Sequence, residues 1–222
     1  MSLTDIIVIG AGGHAHSVID VIESGNTYKV RGLIDSNSQL GDDVFGYQVL
    51  AEQADLKALL SHGSCELVIA IGDNFYRHRL YQQINVQIPD AKFATLIHPR
   101  AYVSRRAYIG TGSVVMAGAI VNAGCQIADG VIVNTAAVVD HDCVIGSFAS
   151  VAPNVTMGGS VCIGARSSIG LGAKLVHRIK LGKDICIGAG SLVLKSIDTD
   201  CVVVYGVPSK IVRQRRADEP YL

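Results

Sequence analysis

Two short segments carry residues whose types and spacing could do chemistry. Asp140-His141-Asp142-Cys143 sets an imidazole between two carboxylates. A carboxylate beside a histidine can hold it in one tautomer and raise its basicity, as a general base requires. A surface histidine in an acidic turn would have the same sequence. The other segment, Gly10-Ala11-Gly12-Gly13-His14-Ala15, fits G-x-G-x-x-G/A, and Asp35 follows at about the twenty-residue spacing expected of the acidic partner. In such a turn the glycines let backbone N–H groups approach a diphosphate at a helix N-terminus, while the carboxylate accepts ribose hydroxyls. The alternative is a tight strand–helix turn that holds no ligand. His14 falls where its ring would face the contents of the turn, or else it is an exposed first-turn residue. His16, His62 and His78 have no supporting context and read as surface residues.

The elements around the glycine turn are those of an α/β unit. Ile6-Ile7-Val8-Ile9 reads as a buried strand, and Val18, Ile19 and Ile22 recur at helical spacing before Gly25. Val30 to Ile34 reads as a second strand closed by Asp35, and Leu67 to Gly72 as a third, followed by a helix near Tyr76–Ile84. Alternating strands and helices predict a small parallel sheet with ligand-binding loops at the strand C-termini. Asp73-Asn74 fall at that same sheet edge and could complete a pocket. A full dinucleotide site needs two such halves. Residues 1–95 supply room for one, which favours a nucleotide or nucleotide-sugar over NAD and argues against an NAD oxidoreductase.

From Ile97 the sequence repeats every six residues. Every sixth position from Ile97 through Val193 is aliphatic, seventeen in all, and the next register is Gly at 110, 146, 158, 164, 170, 182 and 188. The register four along is small from Ala101 through Ala173. A helix cannot carry this pattern, because a period of six moves the aliphatic residue around its surface. A strand that bends at a fixed interval can, with one aliphatic and one small inward residue per segment. The near-absence of rings fits a narrow interior: Phe148 is the one aromatic between Ile109 and Val204.

Composition narrows the function classes. Nineteen Lys+Arg balance nineteen Asp+Glu, which argues against nucleic acid or an acidic membrane surface as a general partner. With 49% hydrophobic and 17% charged residues the chain of 222 is a folded one, long enough for one large or two modest domains. No apolar run approaches a membrane span, and Met1 to Gly13 reads straight into a strand with no secretory pattern. Six cysteines without a compact spacing fit reduced thiols in a cytoplasmic protein.

The GAGGH turn, the hexapeptide repeats, Asn134-Thr135, His141-Asp142-Cys143 and the terminal Gly206-Val207-Pro208-Ser209-Lys210 together resemble one family. It comprises the bacterial sugar acetyltransferases of the PglD/NeuD/PerB type, and the resemblance covers essentially the whole chain. It implies a Rossmann-like α/β domain at 1–95 that binds nucleotide-sugar, then a left-handed parallel β-helix with its C-terminal cap at 96–222. The prism would be triangular, with positions eighteen apart stacked, so that Cys125 and Cys143 fall inward on one column as small core residues. The resemblance further implies acetyl-CoA as co-substrate, no metal, and a homotrimer with acetyl-CoA in the groove between two prisms. It makes His141 the general base with Asp142 raising its basicity. Gly12, Gly13, His14, Asp35 and Asn134 would serve the nucleotide-sugar, and Gly159, Leu171 and Ala189 the pantetheine arm. Several relatives carry a second histidine near the thioester carbonyl where this chain has Ser150, whose hydroxyl or a backbone N–H would polarise that carbonyl instead. His177, two coils from His141, lacks a carboxylate neighbour and reads as structural or surface. Arg213, Arg215 and Arg216 could attract a phosphorylated cofactor or form a solvated tail.

The activity implied is acetylation of the amino group of a nucleotide-linked amino-dideoxy sugar, such as a 4-amino-4,6-dideoxyhexose. O-acetylation of a sialic acid by the same base is the alternative. A zinc hydratase on the same prism would need three histidine ligands, and two prism histidines two coils apart fall short. A nucleotide sensor without turnover would leave His141-Asp142 incidental.

Overall fold

The computed structural model describes residues 3–52, 56–60 and 65–220; His62 lies outside them. The N-terminal lobe is a five-stranded sheet of β1 (Thr4–Ile9), β2 (Tyr28–Ile34), β3 (Asp43–Val44), β4 (Tyr47–Ala51) and β5 (Glu66–Ile69). Their spatial order is β3-β4-β2-β1-β5. All neighbours are parallel except the short β3–β4 hairpin at the edge, which the sequence pattern did not announce. Helix α1 (Gly13–Ser24) buries Val18, Ile19 and Ile22 with Ile6 and Val8 on one side of the sheet. Helix α2 (Leu56–Leu60) and helix α3 (Asn74–Gln87) follow, and Leu80 and Ile84 of α3 pack with Ile7 and Ile9 on the other side. Both faces of the central strands are thereby covered, which is why they read as unbroken aliphatic runs.

From Leu96 the chain winds through two-residue strands that stack in three parallel sheets, a left-handed β-helix of triangular section. The first face stacks Leu96–Ile97, Val114–Val115, Ile132–Val133, Ser150–Val151, Ser168–Ile169 and Cys186–Ile187. The second runs from Tyr102–Val103 to Leu192–Val193 and the third from Tyr108–Ile109 to Lys180–Leu181. Register is eighteen throughout, as Ile120↔Val138↔Thr156 shows. The aliphatic register is the core: Val115 through Val193 are buried, while Ile97, at the open first coil, is 44% exposed. Each corner turns through a residue in the left-handed region, and these recur every six positions from Gly112 to Gly190. Where the corner residue is not glycine, as at Asp142 (φ 60°) and Phe148 (φ 58°), the side chain is thrown outward. A hairpin of Val202–Gly206 and Ser209–Gln214 closes the first face.

The two lobes meet through α1, whose Val18 and Ile22 cluster with Leu96, Val114 and Met116, and through α3. Phe148 lies outside the prism, with His78 and Tyr81 rings 4.7 and 5.1 Å away. His78 is thus half-buried at the junction and not the surface residue its sequence context suggested. The Arg77 guanidinium is 2% exposed and donates to the carbonyls of Ile71 and Gly72 in one lobe and of Gly130 and Phe148 in the other.

Candidate active site

The glycine turn is built by a close approach. Gly10 has φ 113°, and a Cβ there would sit 2.9 Å from the Ala70 carbonyl oxygen, so β1 can end against the chain leaving β5 only as glycine. The chain then passes through Gly12 into α1 with open space around both Gly12 and Gly13. A cavity of about 380 Å³ opens there, lined by Gly12, Gly13, His14, Asp35, Asn37 and Tyr76 among others. Asp35 is present as expected, but its carboxylate faces backbone. It accepts from Ala11 N (2.8 Å), Asn37 N (2.6 Å) and Ser38 N (3.0 Å), and so fastens the turn to its own loop. Asp73 and Asn74 do not line this cavity. Asp73 caps α3 through Tyr76 N, and Asn74, 1% exposed, donates to Ser150 Oγ and to the Arg166 and Ser167 carbonyls. Their position after β5 marked the sheet edge correctly, but the helix takes the hydrogen bond of Asp73 and the prism takes those of Asn74.

A second cavity of about 470 Å³ runs along the first prism face and shares His14 and Gly72 with the first. It gathers Asn134, Ser150, Leu171 and Ala189 from four successive coils. Ser150 accepts the Asn74 amide at 3.1 Å, and the Asn134 side-chain oxygen accepts from Thr135 N at 2.8 Å. His14 stands at the junction of the two cavities. Burial, and next the Arg77 charge, push its pKa down to about 4, so the ring is neutral at ordinary pH.

His141 occupies a different place. It lies at the corner between the second and third faces, the edge opposite the first face. Asp140 accepts from His141 N and from the Asn122 amide, which fixes the corner. The His141 Nδ1 and Asp142 Oδ2 are 2.8 Å apart. That bond, with the Asp140 charge adding to it, raises the His141 pKa above its ordinary value. The ring lies over Gly159 one coil on: a Cβ at 159 would be 2.5 Å from both Cε1 and Nε2. His177 occupies the next coil and accepts from Gly159 N at 3.0 Å, a structural role in line with its sequence reading. Cys125 and Cys143 are buried and unbridged beneath this corner, with the Cys125 thiol donating to the Asp140 carbonyl.

A single chain therefore unites His14, Asn134, Ser150, Leu171 and Ala189, joins Gly12, Gly13 and Asp35 to them through His14, and sets His141, Asp142 and Gly159 apart. Sequence reasoning missed Gly72, Tyr76, Arg77 and Ser168. Arg77 and Tyr76 read as ordinary helix residues, and Ser168 as one of many small outward residues in the repeat. Among the described residues no cluster of His, Cys, Asp and Glu is placed to hold a metal ion, and no helix is long and apolar enough to cross a membrane.

Comparison with known proteins follows the same lines. Residues 5–84 match the PglD N-terminal domain family. The acetyltransferase domain of PglB from Neisseria gonorrhoeae, solved with acetyl coenzyme A, is 36% identical with a TM-score of 0.88, over 95% of this chain and 100% of that one. PerB from Caulobacter crescentus, solved with CoA and GDP-perosamine, is 34% identical with a TM-score of 0.86, over 96% of this chain and 99% of that one. WeeI from Acinetobacter baumannii, 23% identical with a TM-score of 0.81 over 95% and 100%, shares the fold. No curated protein matches the sequence. An α/β lobe of the PglD type joined to a left-handed β-helix, aligned end to end with these enzymes, places the chain in one family: it belongs to the bacterial sugar acetyltransferases of the PglD type, which are acetyl-CoA-dependent.

Proposed function

We propose that the protein N-acetylates the amino group of a nucleotide-linked amino-dideoxy sugar in the cytoplasm, with residues 1–95 holding the nucleotide-sugar and 96–222 carrying acyl transfer. The observation that carries this reading is the meeting of the glycine-turn cavity with the cavity on the prism face at His14 and Gly72. A diphosphate at the α1 N-terminus would then extend its sugar past His14 toward an acyl donor lying along Ser150, Leu171 and Ala189. That PerB was solved with CoA and GDP-perosamine supports the same substrate class.

His141 is the base in this reading. With its Nδ1–H held by Asp142, Nε2 carries the lone pair. It takes the proton from the neutral amine as the amine nitrogen bonds to the thioester carbonyl carbon; the C–S bond then breaks, and the imidazolium returns that proton to the departing sulfur, so CoA leaves as the free thiol and His141 is neutral again. The Asp142 carboxylate stabilises the imidazolium so formed, and donors near Ser150 face the developing oxyanion. Because His141 lies on the edge opposite the cavity face, the base reaches an acyl donor bound to a second copy of the chain. This supports the homotrimer: neighbouring prisms each complete the other's site.

The test is thiol release from acetyl-CoA against 4-amino-4,6-dideoxy sugars on UDP, GDP and dTDP, with free sialic acid alongside. Rapid release with one amino-sugar nucleotide is the expected result. Release with sialic acid alone would replace N- by O-acetylation, and binding of acetyl-CoA with silence across the panel would favour a sensor.

A further inference from the structure

Among the described residues two buried side-chain polar atoms have no hydrogen-bond partner, His14 Nε2 and Ser168 Oγ, and both residues border the cavity on the prism face. Ser168 is 4% exposed. Its neighbours in the repeat show what a satisfied serine looks like. Ser113 Oγ donates to the Ala128 carbonyl and accepts from Val131 N, and Ser167 Oγ donates to the Gly182 carbonyl and accepts from Ile185 N. Above Ser168 on the same face, Ser150 accepts from Asn74. A hydroxyl that the fold buries and leaves unpaired lowers stability unless a ligand completes it.

The shape of the cavity selects the ligand. It spans four stacked strands of the first face, from Ile132 to Cys186, which at the usual strand spacing is roughly 14 Å. Its apolar walls are Ile132, Ala152, Pro153, Leu171 and Ala189. A compact sugar, with hydroxyls on every side, would press several of them against these aliphatic groups. A linear arm with aliphatic links and widely spaced amides matches the length, the walls and the single deep hydroxyl.

We infer that Ser168 is a binding residue for the pantetheine arm of the acyl donor, its hydroxyl hydrogen-bonded to one of the arm's amides. The inference rests on the acyl-transfer reading above. A hydrogen bond of this kind sets the donor's depth in the groove, and hence where the thioester stands relative to His14 at the cavity junction.

Titration calorimetry with acetyl-CoA, together with thermal unfolding of the free protein, tests this. Ser168→Ala should weaken acetyl-CoA binding about three- to tenfold. It should leave the melting temperature of the free protein unchanged or raise it, because no bond of the unliganded protein is lost. The KM for the amino-sugar nucleotide should stay as it is, and Ser168→Thr, which keeps the hydroxyl, should bind acetyl-CoA more tightly than the alanine variant. Unchanged acetyl-CoA affinity in Ser168→Ala overturns the inference. So does a lower melting temperature with unchanged affinity, which would make the hydroxyl structural, or a rise in nucleotide-sugar KM alone. Failure of the native protein to bind acetyl-CoA would instead overturn the functional reading on which the inference rests.

Discussion

The junction of the two cavities and the opposite prism edge each present one histidine, and the surroundings drive the two rings in opposite directions. His14 is half-buried with its Nε2 enclosed, lies near the Arg77 charge and is held neutral down to about pH 4. His141 is exposed, bonded to Asp142 at 2.8 Å, and its pKa is raised. A ring that cannot take a proton suits recognition, and a ring whose protonated form is stabilised suits proton acceptance; environment, not residue type, separates the roles. The same contrast holds for their supports. His14 depends on packing between the lobes, whereas His141 depends on a single corner, where Asp142 adopts φ 60° and Gly159 leaves room for the ring.

Several substitutions would break or sharpen this contrast. Removing the base should act most strongly: His141→Asn is expected to cut turnover by about 100- to 10,000-fold with acetyl-CoA affinity retained, read by steady-state kinetics and calorimetry. Turnover within a few-fold of the native enzyme would take His141 out of the mechanism. Next comes Gly159→Ala, whose new methyl would meet the His141 ring at 2.5 Å. It should displace the ring and lower kcat by roughly 10- to 100-fold, since misplaced groups lose catalysis steeply, while the melting temperature changes little.

The half-buried histidine predicts a pH effect on stability. Its folded pKa lies below the unfolded value of 6.5, so the stabilising difference is present above pH 6.5 and is lost as pH falls toward 4. At pH 5 the unfolded chain has taken this proton and the folded chain has not, a loss of about 2 kcal/mol. Denaturant titrations of the native protein and His14→Gln at pH 7.5 and 5 should differ by that amount, with the variant less acid-sensitive; parallel losses would mean that His14 does not titrate across the window. The smallest effect belongs to Asp142→Asn. Without the carboxylate the His141 pKa falls back toward its ordinary value, so the acid limb of the rate profile should move to lower pH, with a plateau reduced by less than tenfold. An unmoved limb would remove Asp142 from the tuning of the base.

How far the sequence alone reached differs between these regions for a physical reason. Each hexad buries one aliphatic and one small residue by itself, so the repeat of bent strands and its inward register were readable from the period alone, whereas the three-sided, left-handed winding came from the family resemblance. The pairing of His141 with a carboxylate was readable for a similar reason, because Asp140 and Asp142 are its immediate chain neighbours. The glycine turn was readable as a turn, since Gly10 meets a steric demand that few other residues satisfy. The duty of Asp35 was not: Asn37 N and Ser38 N are local partners, but Ala11 N, twenty-four residues away, reaches it only when β2 lies beside β1. Contacts between the lobes were the least visible. Arg77, Asn74 and His78 lie on a helix whose polar pattern suggests solvent, yet the first two are buried and the third half-buried because the prism edge with Phe148 lies against them. Ser168 was hidden by its repeat: Ser167 beside it is fully bonded, and only the folded arrangement tells the two apart.

The central claim is that His141 of one copy serves the cavity of another, and subunit mixing tests it most directly. Two inactive variants would be prepared, His141→Ala and Gly10→Val, the second of which closes the glycine turn against Ala70. They would be mixed, dissociated, reassembled and assayed for thiol release with the amino-sugar nucleotide. The account predicts that mixing restores a substantial fraction of native activity, because some interfaces then pair an intact His141 with an intact cavity. Assembled mixed oligomers that remain as inactive as either parent would contradict it and return base and cavity to a single chain.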